Sequence, residues 1–119
     1  MTVVVSCLSN PEGRQALSTA IAEARSRSTR LVVVAPDGAA AAETLAEVRP
    51  RLEQASVEHE VVTAPSDLAE ALLSAAVRTE AELIVIGLRR RSPVGKLILG
   101  ASAQRILLDS PCPVLAVKS

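Results

Sequence analysis

The fold is decided by the stretch Leu83-Ile84-Val85-Ile86-Gly87 and by Gly100-Ala101-Ser102, which follows it after a basic loop. The first stretch is a continuous apolar run rich in β-branched residues, which is typical of a strand buried on both faces of a parallel sheet. The second opens a short helical pattern, predicted to run from Ala101 to Leu108. A strand, a glycine, a loop and a helix start are the parts with which α/β folds present backbone N–H groups to a phosphate.

Apolar runs elsewhere in the chain alternate with helical patterns. These runs are Val3–Val5, Leu31–Val34, Glu60–Val62 and Val114–Val117. Strands that alternate with helices along the whole sequence predict an α/β sandwich with right-handed crossovers. With 119 residues and no linker or internal repeat, we expect a single domain over residues 1–119.

The helices between these strands have recognisable starts. Asn10-Pro11-Glu12 predicts the first helix, because Asn is a good N-cap and Pro fits the first helical position. Asp67, followed by Glu70 three residues later, predicts another through a capping box. Its buried stripe is predicted to be Leu68, Ala71, Leu72 and Ala75. Apolar spacing over residues 39–52 predicts a further helix, kinked or broken at Pro50.

Composition and charge exclude several classes of function. The chain has no Phe, Tyr or Trp, so it lacks the ring platforms of base-stacking nucleic-acid modules. Its formal net charge is +0, which indicates neither nucleic acid nor an anionic membrane as a partner. No apolar run reaches the length of a membrane span, and no signal sequence opens the chain. We therefore expect a cytoplasmic protein.

No residues with the spacing of a catalytic or metal site stand out. Cys7 and Cys112 lie far apart and cannot complete a zinc set with the single His59, so both are predicted to be reduced and buried. His59 itself is predicted to be an exposed strand residue. The absence of a nucleophile, base or metal set predicts no dedicated enzyme activity.

The spacing of the two glycines resembles the signature of the universal stress protein family: Gly, two residues, Gly, nine residues, Gly, then Ser or Thr. Gly87 and Gly100 fit its first and last glycines, with nine residues, Arg91 to Leu99, before the last. Arg90 stands at the second glycine and Ala101 at the Ser/Thr. Pro111-Cys112-Pro113-Val114 is similar to the family's usual Pro-Cys-Pro-Val, which favours a structural role for Cys112.

This resemblance implies a Rossmann-like, adenine nucleotide alpha hydrolase-like fold. It is a three-layer sandwich around a five-stranded parallel sheet in the order 3-2-1-4-5. Ligands of such sheets bind at the switch between the first and fourth strands, outside their carboxyl ends. The loops Ser6–Asn10 and Gly87–Leu99 would face each other there.

The resemblance also implies which residues would form a nucleotide pocket. Family members that bind ATP carry an Asp after the first strand that recognises adenine, and Leu8 holds that position here. Since no acid lies between Met1 and Glu12, no neighbour replaces it. Val34, taken as the end of the second strand, would supply an apolar wall. The candidate nucleotide- or anion-binding residues are Leu8, Val34, Gly87, Arg89, Arg90, Lys96, Gly100, Ala101 and Ser102.

Several of these residues have two interpretations. Gly87 either makes a tight turn that needs positive φ or no Cβ, or allows a ribose or phosphate to approach. Gly100-Ala101-Ser102 either joins two helical pieces with Ser102 as a cap, or holds a phosphate at a helix N-terminus. Arg90 either obstructs the path to the backbone or pairs with phosphate oxygens.

The basic cluster has two interpretations as well: a solvated loop or a phosphate site. Five basic residues fall within seventeen residues that contain no acid. They are Arg89, Arg90, Arg91, Lys96 and Arg105.

Two functions follow from these alternatives. The first is a dimeric stress-response or regulatory module with a degenerate nucleotide pocket and weak or no ATP binding. The second is a working ATP or nucleotide module in which Arg89–Arg91 and Lys96 bind the phosphates. In this family the fifth strand pairs with its copy in a second subunit, so we expect a homodimer through Val114, Leu115, Ala116 and Val117.

Overall fold

The computed structural model describes residues 1–6, 10–64, 67–88 and 101–118, and for residues 39–40 the backbone alone. Strands and helices alternate throughout these ranges. The strands are β1 (Thr2–Ser6), β2 (Arg30–Pro36), β3 (His59–Ala64), β4 (Ala81–Leu88) and β5 (Val114–Lys118). The helices are α1 (Pro11–Ser26), α2 (Ala39–Ala55), α3 (Leu68–Arg78) and α4 (Ala101–Asp109).

The five strands form one parallel sheet in the order β3-β2-β1-β4-β5, which confirms the predicted fold class. Alternate residues of each strand point to opposite faces. Val3 and Val5 of β1 pack in a cluster with α1 and α2, whereas Val4 packs on the other face in a cluster with α3 and Ile106 of α4. The sheet is therefore the middle of three layers, with β1 at its centre.

The predicted capping residues start α1 and α3. Asn10 Oδ1 accepts a hydrogen bond of 2.7 Å from the Gly13 amide, and α1 begins at Pro11. Asp67 Oδ1 accepts from the amides of Ala69 and Glu70 at 3.0 and 3.3 Å. Both helix starts are confirmed.

The predicted buried stripe of α3 was partly wrong. Leu68 and Ala71 are only half-buried, because they lie on the flank of the helix. The buried residues are Ala69, Leu72, Leu73, Ala75 and Ala76. Small residues at three of these five positions bring the helix close to the sheet.

The predicted break at Pro50 was wrong. Helix α2 runs without interruption from Ala39 to Ala55, with the exposed Pro50 inside it. Val48 and Leu52 on either side of Pro50 are 2% and 0% exposed, and both belong to the core cluster beneath α1 and α2. Tertiary packing of this face therefore outweighs the backbone hydrogen bond that proline removes.

Cys112 is half-buried rather than buried, which corrects the prediction for this residue, and its thiol is free. The Ser110 hydroxyl donates to the Cys112 carbonyl oxygen at 2.6 Å and accepts from the Cys112 amide at 3.2 Å. This hydroxyl orders the turn that leads into β5. Cys7 lies outside the described residues. His59 is an exposed residue of β3, as predicted.

Within the described ranges, no helix combines the length and apolar character needed to cross a membrane.

Candidate functional site

The carboxyl ends of β1 and β4 lie side by side, with Val5 opposite Val85. Strands β2 and β4 flank β1, and the chain leaves β1 for α1 at this edge. This is the switch point at which ligands of open parallel sheets bind. The observed strand order confirms that this switch point lies between β1 and β4, as the resemblance implies. Leu8, Arg89, Arg90, Arg91, Lys96 and Gly100 belong to it by prediction and lie outside the described residues.

Gly87 lies inside β4, opposite Val117 of β5, and is not a turn residue. Its φ is not positive, so the predicted tight turn was wrong, whereas the alternative reason given for a glycine, that no Cβ fits, is correct. A Cβ built on Gly87 would lie 2.3 Å from the carbonyl oxygen of Glu12 and 2.7 Å from its carbonyl carbon. Glycine is needed here because the first turn of α1 occupies the space of a side chain.

Glu12 is a residue of this region that the sequence analysis did not assign to the site. It is half-buried in the first turn of α1, and its Cβ lies 3.1 Å from the position of a Cβ on Gly87. An acidic residue therefore starts the helix that follows β1, beside the end of β4. The sequence did contain a signal for this position of Glu12. It directly follows an N-cap and a proline, and that pair fixes the first turn of the helix next to the predicted crevice.

Val34 is fully buried among Val4, Val32 and Leu72, on the face that α3 covers. Strand β2 continues beyond it to Pro36, so the assignment of Val34 to the end of the strand was wrong.

Asp37, rather than Val34, follows the carboxyl end of β2, and the sequence analysis did not single it out. Its amide donates to the Ala64 carbonyl at 3.1 Å, and its Oδ1 accepts from the Gly38 amide at 2.8 Å. These two bonds hold the turn between β2 and α2. The acid is exposed at the same edge of the sheet as the crevice.

Helix α4 begins at Ala101, where the sequence predicts it. Ala101 and Ser102 are both exposed, and the first turn contains no acidic residue. Ser102 is the second helical residue, so it is not the N-cap that one interpretation made it. An exposed helix N-terminus without acid favours an anion through the helix dipole.

Arg105 is the one member of the basic cluster within the described residues, and carboxylates surround it. Its Nη1 lies 3.0 Å from Asp67 Oδ2, its Nη2 donates to Glu70 Oε2, and its Nε lies 3.8 Å from Asp109 Oδ2. The hydrogen bond that Arg105 donates to Glu70, with the charge of that carboxylate, raises the pKa of the Arg105 guanidinium. Arg105 therefore stays charged, and its charge is balanced by these carboxylates.

The described residues contain no group of three His, Cys, Asp or Glu side chains placed to hold a metal ion.

Strand β5 is the outer edge of the sheet, paired on one side with β4. Leu115 is 37% exposed, whereas Val114, Ala116 and Val117 are half-buried. The strand thus presents an apolar edge, with Lys118 as its charged end.

Comparison with known proteins agrees with this architecture. The model of the universal stress protein family matches residues 1–118. A universal stress protein of Mycolicibacterium smegmatis is 42% identical over 98% of this chain and 96% of its own. The structure of a universal stress protein from Archaeoglobus fulgidus has a TM-score of 0.82 at 29% identity, covering 99% of this chain and 98% of that one. A universal stress protein from the same organism, solved in complex with dAMP, has a TM-score of 0.77 at 22% identity, with the same coverage of both chains.

Proposed function

The chain belongs to the universal stress protein family, and from that premise we propose that it is a dimeric stress-response module with a degenerate nucleotide pocket. It binds ATP weakly or not at all. It carries out no dedicated chemistry beyond at most slow ATP hydrolysis, and it works in the cytoplasm, where the half-buried Cys112 stays a thiol.

The observation that carries this proposal is Ala101. It occupies the position of the Ser or Thr that closes the family signature, and it starts α4 at the exposed N-terminus of the helix. A hydroxyl here would add a hydrogen bond to a phosphate held by the backbone N–H groups, and the alanine methyl cannot. The backbone part of an anion site is retained, while the side-chain part is missing.

Two further observations support weak binding. Arg105, the described cation of the basic cluster, has its charge balanced by carboxylates of α3 and α4. The absence of a side chain at Gly87 accommodates the backbone of Glu12, so this glycine does not by itself indicate a ligand.

The base-binding half of the pocket is weakened as well. Leu8 stands where the resemblance places an adenine-recognising Asp, and a leucine offers no hydrogen-bond acceptor. A related fold from Archaeoglobus fulgidus was solved with dAMP, which makes nucleotides the ligands to test first.

A working nucleotide module is the second candidate, and the acid-free N-terminus of α4 is the observation that favours it. In that case Arg89–Arg91 and Lys96 would supply the phosphate contacts that the altered signature has lost. Binding would then depend steeply on Arg90 and on salt concentration.

Titration calorimetry with ATP tests the proposal, using the parent chain and a variant that restores the signature (Leu8→Asp, Arg90→Gly, Ala101→Ser). We expect a parent dissociation constant weaker than about 1 mM. The restored variant should bind about tenfold tighter or more, because each charge-assisted hydrogen bond contributes about 1.5–3 kcal/mol. Ser74→Ala, at an exposed serine of α3 that is not among the candidate residues, is the control, and its affinity should equal that of the chain into which it is introduced.

Micromolar ATP binding by the parent chain would contradict the degenerate pocket. If Arg90→Ala then abolished that binding, the second candidate would be the correct one. Affinity that is insensitive to Arg90→Ala would exclude it.

A further inference from the structure

We propose that Arg105 is a positioning residue, which clasps the N-terminus of α3 and thereby orients the N-terminus of α4 toward the crevice. The clasp consists of Arg105, Asp67 and Glu70. The inference rests on the proposed function in one respect, since it takes the N-terminus of α4 as the part of the site that faces a phosphate.

Helix α4 is short and packs on the core through one face, with Ala103 half-buried against the same cluster as Ile106. It is 9 residues long, and Ile106 is its single buried residue. Among the described elements its main neighbour is α3. A helix of this length is marginal on its own, so its direction depends on tertiary contacts. Ile106 and Ala103 attach one face of the helix to the core, and a contact with α3 outside this face helps to set the direction of the helix.

The clasp supplies this contact. The guanidinium places Nη1 3.0 Å from Asp67 Oδ2, and its Nη2 donates to Glu70 Oε2. The planar fork of arginine lets one side chain bind two residues at once in a defined orientation. The two acceptors lie in the first turn of α3 or at its cap, and the donor lies on α4, so the clasp joins the two helices directly.

Asp67 is itself held in place, which makes it a fixed point for Arg105. Its Oδ1 accepts from the amides of Ala69 and Glu70, and its Oδ2 accepts from Arg105. Both oxygens of one carboxylate are therefore used, one to cap α3 and the other to bind α4. Arg105 lies four residues after Ala101, on the same side of the helix, so the clasp acts one turn from the N-terminus of α4.

Charge and positioning make opposite predictions about this cluster. Arg105 brings one positive charge, while Asp67, Glu70 and Asp109 bring three negative charges. By electrostatics alone the cluster opposes an anion, and removing a carboxylate should strengthen phosphate binding. If the clasp positions α4, removing the same carboxylate should weaken phosphate binding.

The experiment uses Glu70→Gln and Asp67→Asn in the parent chain and in the restored variant. Both substitutions remove a negative charge with little change of shape, and Asn at position 67 still caps α3. Glu82→Gln is the matched control, because Glu82 also pairs with an arginine, Arg27 at 3.2 Å, but lies near the amino end of β4. Arg105→Lys keeps the charge and loses the fork.

Hydrogen exchange of the α4 amides is the first readout. We expect Glu70→Gln, Asp67→Asn and Arg105→Lys to speed exchange across Ala103–Asp109 about two- to fivefold, the factor that corresponds to an exposed ion pair. Glu82→Gln should leave these amides unchanged. Unchanged α4 exchange in all three clasp variants would overturn the proposal.

ATP affinity of the restored chain is the second readout. We expect the three clasp variants to bind ATP about two- to fivefold more weakly, with the difference shrinking in high salt. Tighter binding in Glu70→Gln and Asp67→Asn would show that charge dominates and would overturn the positioning role. If the restored chain binds no ATP, the pocket assignment fails, and the exchange of α4 decides the clasp alone.

Discussion

Gly87 of β4 and the backbone of Glu12 in α1 lie so close together that no side chain fits between them. A Cβ on Gly87 would come within 2.3 Å of the Glu12 carbonyl oxygen. The contact seats the first turn of α1 directly on the strand that leads into the basic loop. A glycine that opens a ligand-binding signature therefore has a role in packing the fold.

Gly87→Ala is expected to destabilise the protein by about 1–3 kcal/mol, because α1 must move to admit the methyl group. Urea denaturation measures the loss, and hydrogen exchange locates it. Exchange should increase first at the amides of Gly13 and Arg14, which begin the hydrogen-bonded turns of α1.

Gly38→Ala is the matched control for this glycine. Gly38 has φ 85° and ψ −153°, and a Cβ there would meet no atom within 4 Å. Alanine at this position costs about 1–3 kcal/mol through backbone strain rather than through a clash. Its effect on exchange should be confined to the start of α2. Equal loosening of α1 by both variants would contradict the role given to Glu12.

The fold could be predicted because its signals are local. Continuous apolar runs indicate buried parallel strands, and Asn10 and Asp67 mark the helix starts that they cap. The strand order came from the resemblance rather than from these patterns. The predicted break at Pro50 was wrong because the sequence shows only the local cost of a proline. The packing of Val48 and Leu52 against the core outweighs that cost, and it depends on the tertiary structure.

The candidate site was harder to predict for a physical reason. Asp67 and Glu70, the partners of Arg105 at the start of α3, lie 38 and 35 residues away in sequence, so the acid-free stretch around Arg105 gives no sign of them. Likewise, the need for glycine at position 87 arises from Glu12, on a different element of the fold. Residue spacing predicts which backbone segments belong to such a site, but only the packed structure shows which residues of other elements contact them.

Pro50→Ala is expected to stabilise the protein by about 1–3 kcal/mol. Proline in a helix interior is about 3 kcal/mol less favourable than alanine, and part of this is offset by the restricted unfolded chain. Pro50 is exposed, so its removal leaves no cavity. Urea denaturation of the purified variant measures the gain in the free energy of unfolding.

Pro11→Ala is the control. Pro11 is the first residue of α1, where proline fits, so no gain is expected. A gain from Pro11→Ala as large as that from Pro50→Ala would refute this account.

Leu115→Lys is expected to convert the proposed homodimer to a monomer. Leu115 is the second residue of β5, is 37% exposed and belongs to the edge strand through which we propose that two copies pair. A lysine on an edge strand opposes pairing, because two copies related by a twofold axis would bring like charges together. Analytical ultracentrifugation at micromolar concentration distinguishes the two states.

Val77→Lys is the control for this prediction. It places the same charge at another exposed apolar side chain, 65% exposed on α3 and away from the sheet edge, so this variant should stay dimeric. A parent chain that sediments as a monomer would exclude the dimer, and dissociation by both variants would move the interface away from β5.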